Sequence, residues 1–246
     1  MLLALAGIAA ALDLRPALVK PGKTLAVSVQ VRGTDAAALK ELSRELRTSC
    51  KAATLWADDV ATVGALVEEQ ATALGDFPGP CPVIFDGAAA DRAGAISRGA
   101  SAVVVDAAGD ADVGGDVSKI WRCGGAADAR ALAARGEGPY FLLDGLDDAA
   151  DLPPEAVVVA GVDAMQPDHG EIDAGRAAQA AGARAVLLRG ACVGDDEDAP
   201  YAAFAIGRLR TKKSTSFGMD GFTGSTNGHF GSPVDSDPRP WKRASA

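Results

Sequence analysis

Eight short apolar runs recur between residues 21 and 210, and stretches of helix-forming residues separate most of them. The runs are 25–31, 52–56, 82–85, 102–105, 117–122, 140–143, 157–160 and 185–188. They have the length of buried strands, and Gly, Pro or Asp follows most of them. Between them, 35–47 places Ala38, Leu39, Leu42 and Leu46 on one face and Lys40, Glu41, Arg44, Glu45 and Arg47 mostly opposite, which predicts an amphipathic helix. Residues 60–74, 88–98, 128–135, 174–181 and 200–210 read as further helices. Apolar strands alternating with helices are the pattern of a parallel sheet covered on both faces. Eight such units predict an α/β fold, a single (β/α)8 TIM barrel with a disordered C-terminal tail. A doubly wound open sheet is the alternative. Two crossovers are thin: 107–116 reads as a loop, and 146–151 as one helical turn before Pro153 and Pro154.

Composition divides the chain into three parts. Residues 1–20 open with MLLALAGIAAA, which is apolar but shorter than the roughly 20 residues a membrane-spanning helix needs. It resembles the core of a targeting segment without a basic start. Residues 21–210 form the barrel. Residues 211–246 are rich in Gly, Ser, Thr and Pro, too polar to order themselves, with Phe217, Phe222, Phe230 and Trp241 spaced as anchors for a protein partner or for the barrel itself. A net charge of −9 argues against nucleic acid or an anionic membrane as a general partner. No membrane insertion is expected.

In such barrels the chemistry sits at the C-terminal ends of the strands. Here those ends are Arg32, Asp58, Asp86, Asp106, Arg122, Asp144, Asp163 and Arg189. A mixed ring of this kind either holds a ligand or neutralises itself in ion pairs. Asp58 is also placed to cap the second helix. Near strands seven and eight, the backbone N–H groups of Gly161, Gly190 and Ala191, with Arg189 beside them, are the predicted phosphate site. The four cysteines show no metal spacing and read as reduced, half-buried thiols. His169 and His229 have no nucleophile or zinc motif nearby. No cofactor motif is present, so neither a cofactor nor a metal centre is expected.

The stretch VVVAGVDAMQPDHGEIDAGRAAQAAGARAVLLRGACVGDDEDAPYAAF resembles the closing unit of the ribulose-phosphate-binding barrels, in particular indole-3-glycerol phosphate synthase. Its AMQP loop, ACVGD turn and the tail STSFGMDGFTGSTNGHFG are similar to an uncharacterised plastid group related to that synthase. The resemblance implies a carboxy-lyase of tryptophan biosynthesis acting on a small phosphorylated metabolite, in the plastid or otherwise in the cytoplasm. It implies Arg32, Asp86 and Asp144 at catalytic positions. The departures are equally specific. Arg32 stands where the family has a lysine, Phe85-Asp86 replaces a Lys-Asp pair, Trp121-Arg122 replaces a catalytic glutamate, and Leu143-Asp144 replaces an Asn position. Arginine stays protonated and is a poor proton donor. Three functions follow: a synthase-like lyase, a non-catalytic plastid binding or assembly protein, and a metal-dependent enzyme using the aspartates.

Overall fold

The computed structural model describes residues 12–107, 117–144 and 151–211. Eight parallel strands close on themselves in sequence order: β1 (Ala26–Val31), β2 (Leu55–Ala57), β3 (Val83–Phe85), β4 (Ala102–Asp106), β5 (Ser118–Cys123), β6 (Tyr140–Leu143), β7 (Val157–Asp163) and β8 (Ala185–Cys192). The closing pair is β1 with β8, in which Ala26 faces Ala185 and Val29 faces Leu188. This is the predicted (β/α)8 barrel, and closure removes the open-sheet alternative.

Side chains alternate along the strands. One set points into the barrel, where Ala26, Trp56, Ile84, Val104, Ile120, Leu142, Val159 and Leu187 share one cluster. The other set, including Val27, Leu55, Phe85, Val103, Trp121, Phe141, Val158 and Val186, packs under the helices. The interior also carries a buried polar chain: Trp56 Nε1 donates to Thr54 Oγ1 and Thr54 Oγ1 donates to Ser28 Oγ, each at 2.7 Å. Every group in it finds a partner, which removes most of the cost of burying it.

The outer helices are α2 (Ala36–Thr48), α3 (Val60–Thr72), α4 (Arg92–Ser97), α5 (Ala126–Ala134), α6 (Gly170–Ala180) and α7 (Asp198–Arg210). Asp35 caps α2 by accepting from the N–H groups of Ala37 and Ala38. Asp59, rather than Asp58, caps α3 through the Thr62 N–H, because Asp58 is engaged elsewhere. A short helix, α1 (Leu14–Leu18), precedes the barrel. It falls within 1–20, the stretch read as a targeting remnant, yet Leu14 and Leu18 are buried in the interior cluster. They plug the N-terminal end of the barrel, so this part of the chain belongs to the folded unit.

The apolar runs predicted most strands well; β2 starts only at Leu55 rather than at 52, and β7 and β8 extend beyond the apolar residues to Asp163 and Cys192. Gly161 and Gly190 therefore lie within strands and not beyond their ends. The predicted loop at 108–116, the turn at 146–150, the apolar start 1–11 and the tail 212–246 lie outside the described residues. Among the described residues no helix is long and apolar enough to cross a membrane.

All four cysteines are free and buried, more so than expected. Burial pushes the thiols of Cys50 and Cys81 up to about 12 and that of Cys123 to about 11. A thiol reacts as its thiolate. The native protein at pH 8 is therefore expected to resist Ellman's reagent, and denaturant should release four thiols; rapid labelling of the folded chain would contradict this burial.

Candidate functional site

The strand-end charges continue the inward-pointing set by two residues. Arg32 follows Ser28 and Gln30, Asp58 follows Thr54 and Trp56, Arg122 follows Ser118 and Ile120, and Arg189 follows Ala185 and Leu187. Period-two geometry thus aims all eight at the axis as a final, charged layer above the apolar one. Seven of them, all but Asp106, surround a mouth of about 480 Å³: Arg32, Asp58, Asp86, Arg122, Asp144, Asp163 and Arg189 line it, with Gln30 and Gly190 below.

Three arginines in this layer bind aspartates from other strands. Arg32 Nε meets Asp58 Oδ2 at 2.7 Å, joining β1 to β2. Arg122 donates to Asp86 across β4 and also lies 3.6 Å from Asp106. Arg189 donates to Asp144, across β7. The ring read as either a ligand cradle or a self-neutralising network is, at three of its arginines, the second. With three arginines against five aspartates its formal charge is −2.

Asp86 is the most buried of these carboxyls, its side chain 7% exposed. Burial raises its pKa above the ordinary value, while Arg122 and Arg189 pull it back. Burial also lowers Arg189, with Arg122 repelling it and Asp86 attracting it. A carboxyl whose folded-state pKa is raised is relieved as the pH falls through that value, the reverse of an ordinary paired aspartate. Replacing Arg122 with Met is expected to raise the Asp86 pKa further. A carbon-detected NMR titration reads this directly, and a fall in the Asp86 pKa would contradict the pairing.

The phosphate prediction meets a different arrangement. A Cβ built on Gly161 would overlap the Arg189 guanidinium, with Nε at 2.7 Å. Gly161 is the space into which Arg189 lies flat, which is why a residue without a side chain is needed there. Gly190 has φ 63° at a bulge where β8 slips against β1 between Val29 and Val31. Its N–H donates to Gln30 Oε1 at 2.8 Å. Ala191 is buried. A three-pronged anion nest does form a little later, where the N–H groups of Val193, Gly194 and Asp195 converge on one oxygen, Oδ2 of Asp198, at 2.8, 2.8 and 3.1 Å. Asp198 is 1% exposed. The anion at the start of the last helix is the protein's own carboxylate. In this structure Gly161 makes room for Arg189 and the Gly190 N–H binds Gln30, while backbone donors that converge on a carboxylate sit at residues 193–195.

Sequence reasoning missed two further features. The loop after β7 has Met165, Asp168 and His169 in the left-handed region, at φ 55°, 54° and 57°. It is held from beneath by buried Glu171, whose Oε2 accepts from the Gln166 N–H at 3.0 Å and whose Oε1 accepts from the Tyr201 hydroxyl at 3.2 Å. The His169 ring packs tilted against Phe204, with centroids 4.7 Å apart. The signal available was Glu171 on the face shared with Ile172 and Gly175. The second feature is Asp198, hidden in the run Asp195–Asp198 that reads as a solvated acidic turn. The aspartates of the mouth are interleaved with arginines, and among the described residues no group of three or more His, Cys, Asp or Glu side chains gathers as metal ligands would.

No protein-family model and no curated protein matches the chain. Among solved structures, thiamine phosphate pyrophosphorylase from Pyrococcus furiosus is similar with a TM-score of 0.56 and 12% identity, over 80% of this chain and 96% of that one. N-acetylneuraminate lyase from Mycoplasma synoviae is similar with a TM-score of 0.52 and 9% identity, over 76% of this chain and 73% of that one. At such identities the likeness is one of fold, and it agrees with the closed barrel.

Proposed function

We propose that this is a non-catalytic binding or assembly protein built on an indole-3-glycerol phosphate synthase-like barrel. The observation that carries the reading is the ring of Arg–Asp pairs across the mouth. Arg32–Asp58, Arg122–Asp86 and Arg189–Asp144 tie up the arginines that a phosphorylated substrate would need. A ligand entering there has to replace good charge-assisted bonds with its own, so little binding energy remains for chemistry. The nest filled by Asp198 supports the same conclusion. Ring closure with decarboxylation needs a proton donor near the carbonyl, and the lysine of the synthase pattern is Arg32 here. The plastid is the proposed location and the aromatic tail the proposed contact for a protein partner; both rest on the sequence resemblance.

The test has two parts. Purified protein is expected to form no indole glycerol phosphate from carboxyphenylamino-deoxyribulose phosphate, and to bind that substrate no better than millimolar. In a pull-down, ending the chain at Thr211 should remove a partner that the full chain retains. Turnover, or an unchanged partner list, overturns the proposal.

A second reading, an enzyme of other specificity, is favoured by Asp86 alone. A carboxyl raised by burial at the foot of a polar cavity is suited to deliver a proton. A bell-shaped pH–rate profile abolished by Asp86→Asn, on any small polar substrate, would support this reading over the first.

A further inference from the structure

The cavity with the largest volume among those described lies at the other end of the barrel. It holds about 780 Å³, within the range of small-molecule sites. One wall is α1 with the residues flanking it, including Leu12, Pro16 and Ala17; the other is the segment running through Phe77, Pro78 and Pro80 into β3. This wall is apolar, and the Phe77 ring beside it is fully exposed. An exposed aromatic ring at the lip of an apolar groove is unusual in a chain with so few aromatics.

The groove is also strongly cationic. Lys20, Arg47, Lys51 and Arg210 line it against one carboxylate, Asp13, which accepts from the Arg15 N–H as the cap of α1. Arg47 is paired with Glu69. Among the described residues Lys20, Lys51 and Arg210 form no ion pair. Two of them are instead oriented by backbone carbonyls: Lys20 Nζ donates to Pro16 O at 3.1 Å and Arg210 Nη2 to Lys51 O at 2.6 Å. Lys51 itself is held at φ 59°, a conformation costly for a side-chain-bearing residue. Burial and the Arg210 charge lower the Lys20 pKa, and burial lowers that of Arg210. Three cations without an ion pair among the described residues thus line one apolar groove in a protein whose net charge is −9.

We infer that this groove binds a free amphipathic acid, with its anionic head among Lys20, Lys51 and Arg210 and its apolar chain along Pro16, Phe77 and Pro80. Charge complementarity fixes the head and the wall fixes the tail. A concave site favours a single molecule over a flat bilayer, and the negative charge of the whole chain opposes an anionic membrane at longer range. The site lies at the N-terminal end of the strands, away from the mouth, so it is independent of whether the mouth is catalytic.

Titration of the full-length protein with sodium dodecanoate below its micelle concentration, followed by calorimetry, tests the inference. Saturable one-to-one binding is expected. Lys51→Glu and Phe77→Ser, both at exposed side chains and checked for unchanged circular dichroism, should each weaken it by about tenfold. Dodecanol and acetate, each lacking one half of the ligand, should bind at least about tenfold more weakly. Asp163→Asn at the mouth should leave binding unchanged. Absence of saturable binding, binding indifferent to both groove substitutions, or association with anionic vesicles alone would overturn the inference.

Discussion

Replacing Glu69 with alanine is expected to destabilise the protein by about 3–5 kcal/mol, the cost of stranding a buried charge. Glu69 and Arg47 pair at 2.9 Å between α3 and α2, with side chains 7% and 5% exposed. Glu69 Oε2 also accepts from Ser43 Oγ at 2.9 Å and Gln70 Nε2 at 2.6 Å. Gln70 in turn accepts from the Cys81 N–H through Oε1, and Arg47 Nη1 donates to the Pro78 carbonyl. One carboxylate therefore organises two helices and the segment entering β3. Arg47 Nε is already buried without a partner, so this guanidinium has little reserve once Glu69 is gone. Arg47→Met should cost less, because Glu69 keeps two donors while the new side chain packs. Urea unfolding of the two variants measures the difference; equal losses would show that the network does not act through Glu69.

Trp56→Ala should be of similar size, about 3–5 kcal/mol for a large aromatic removed from a packed core. Trp56 is fully buried at the centre of the barrel interior, between Ile84 of β3 and the residues of β1. Its loss leaves a cavity that rigid strands on every side cannot close, and removes the donor that ends the Ser28–Thr54 chain. For a domain of this size a melting point lower by about 10 °C is expected. Trp56→Phe, which keeps most of the volume but not the N–H, should lose less than half as much. Asp58 stands two residues further along the same strand, so the alanine variant should also loosen the Arg32–Asp58 pair. A variant melting within about 2 °C of the parent would mean that the interior repacks.

The barrel was legible because most strands are short apolar runs and the segments between most of them are rich in helix-forming residues. The inward aim of the strand-end charges was equally available: residues 28, 30 and 32 of one strand, or 118, 120 and 122 of another, share a face by counting in twos. Pairing was harder to read. Arg122 reaches Asp86 across an intervening strand, a contact set by barrel curvature and not by spacing along the chain. The neighbours of the glycines were hidden for a related reason. Gly161 looks like a place for a ligand to approach the backbone, and it is approached, but by Arg189 from the neighbouring strand. Asp59 displaced Asp58 as the helix cap because two adjacent aspartates offer the same local chemistry, and only the partner Arg32 distinguishes them. The plug formed by Leu14 and Leu18 escaped notice because a five-residue helix has too little periodicity to stand out from the apolar sequence before it.

The carboxylate of Asp198 adds a consequence for how this end of the barrel responds to its surroundings. A diffusing anion leaves its nest as its concentration falls, whereas a tethered one is present at an effective concentration set by a few residues of backbone. The turn formed by Val193, Gly194 and Asp195 is therefore expected to keep its shape as phosphate or metabolite levels change. A loop that elsewhere could sense a ligand is here a permanent fixture, insensitive to supply.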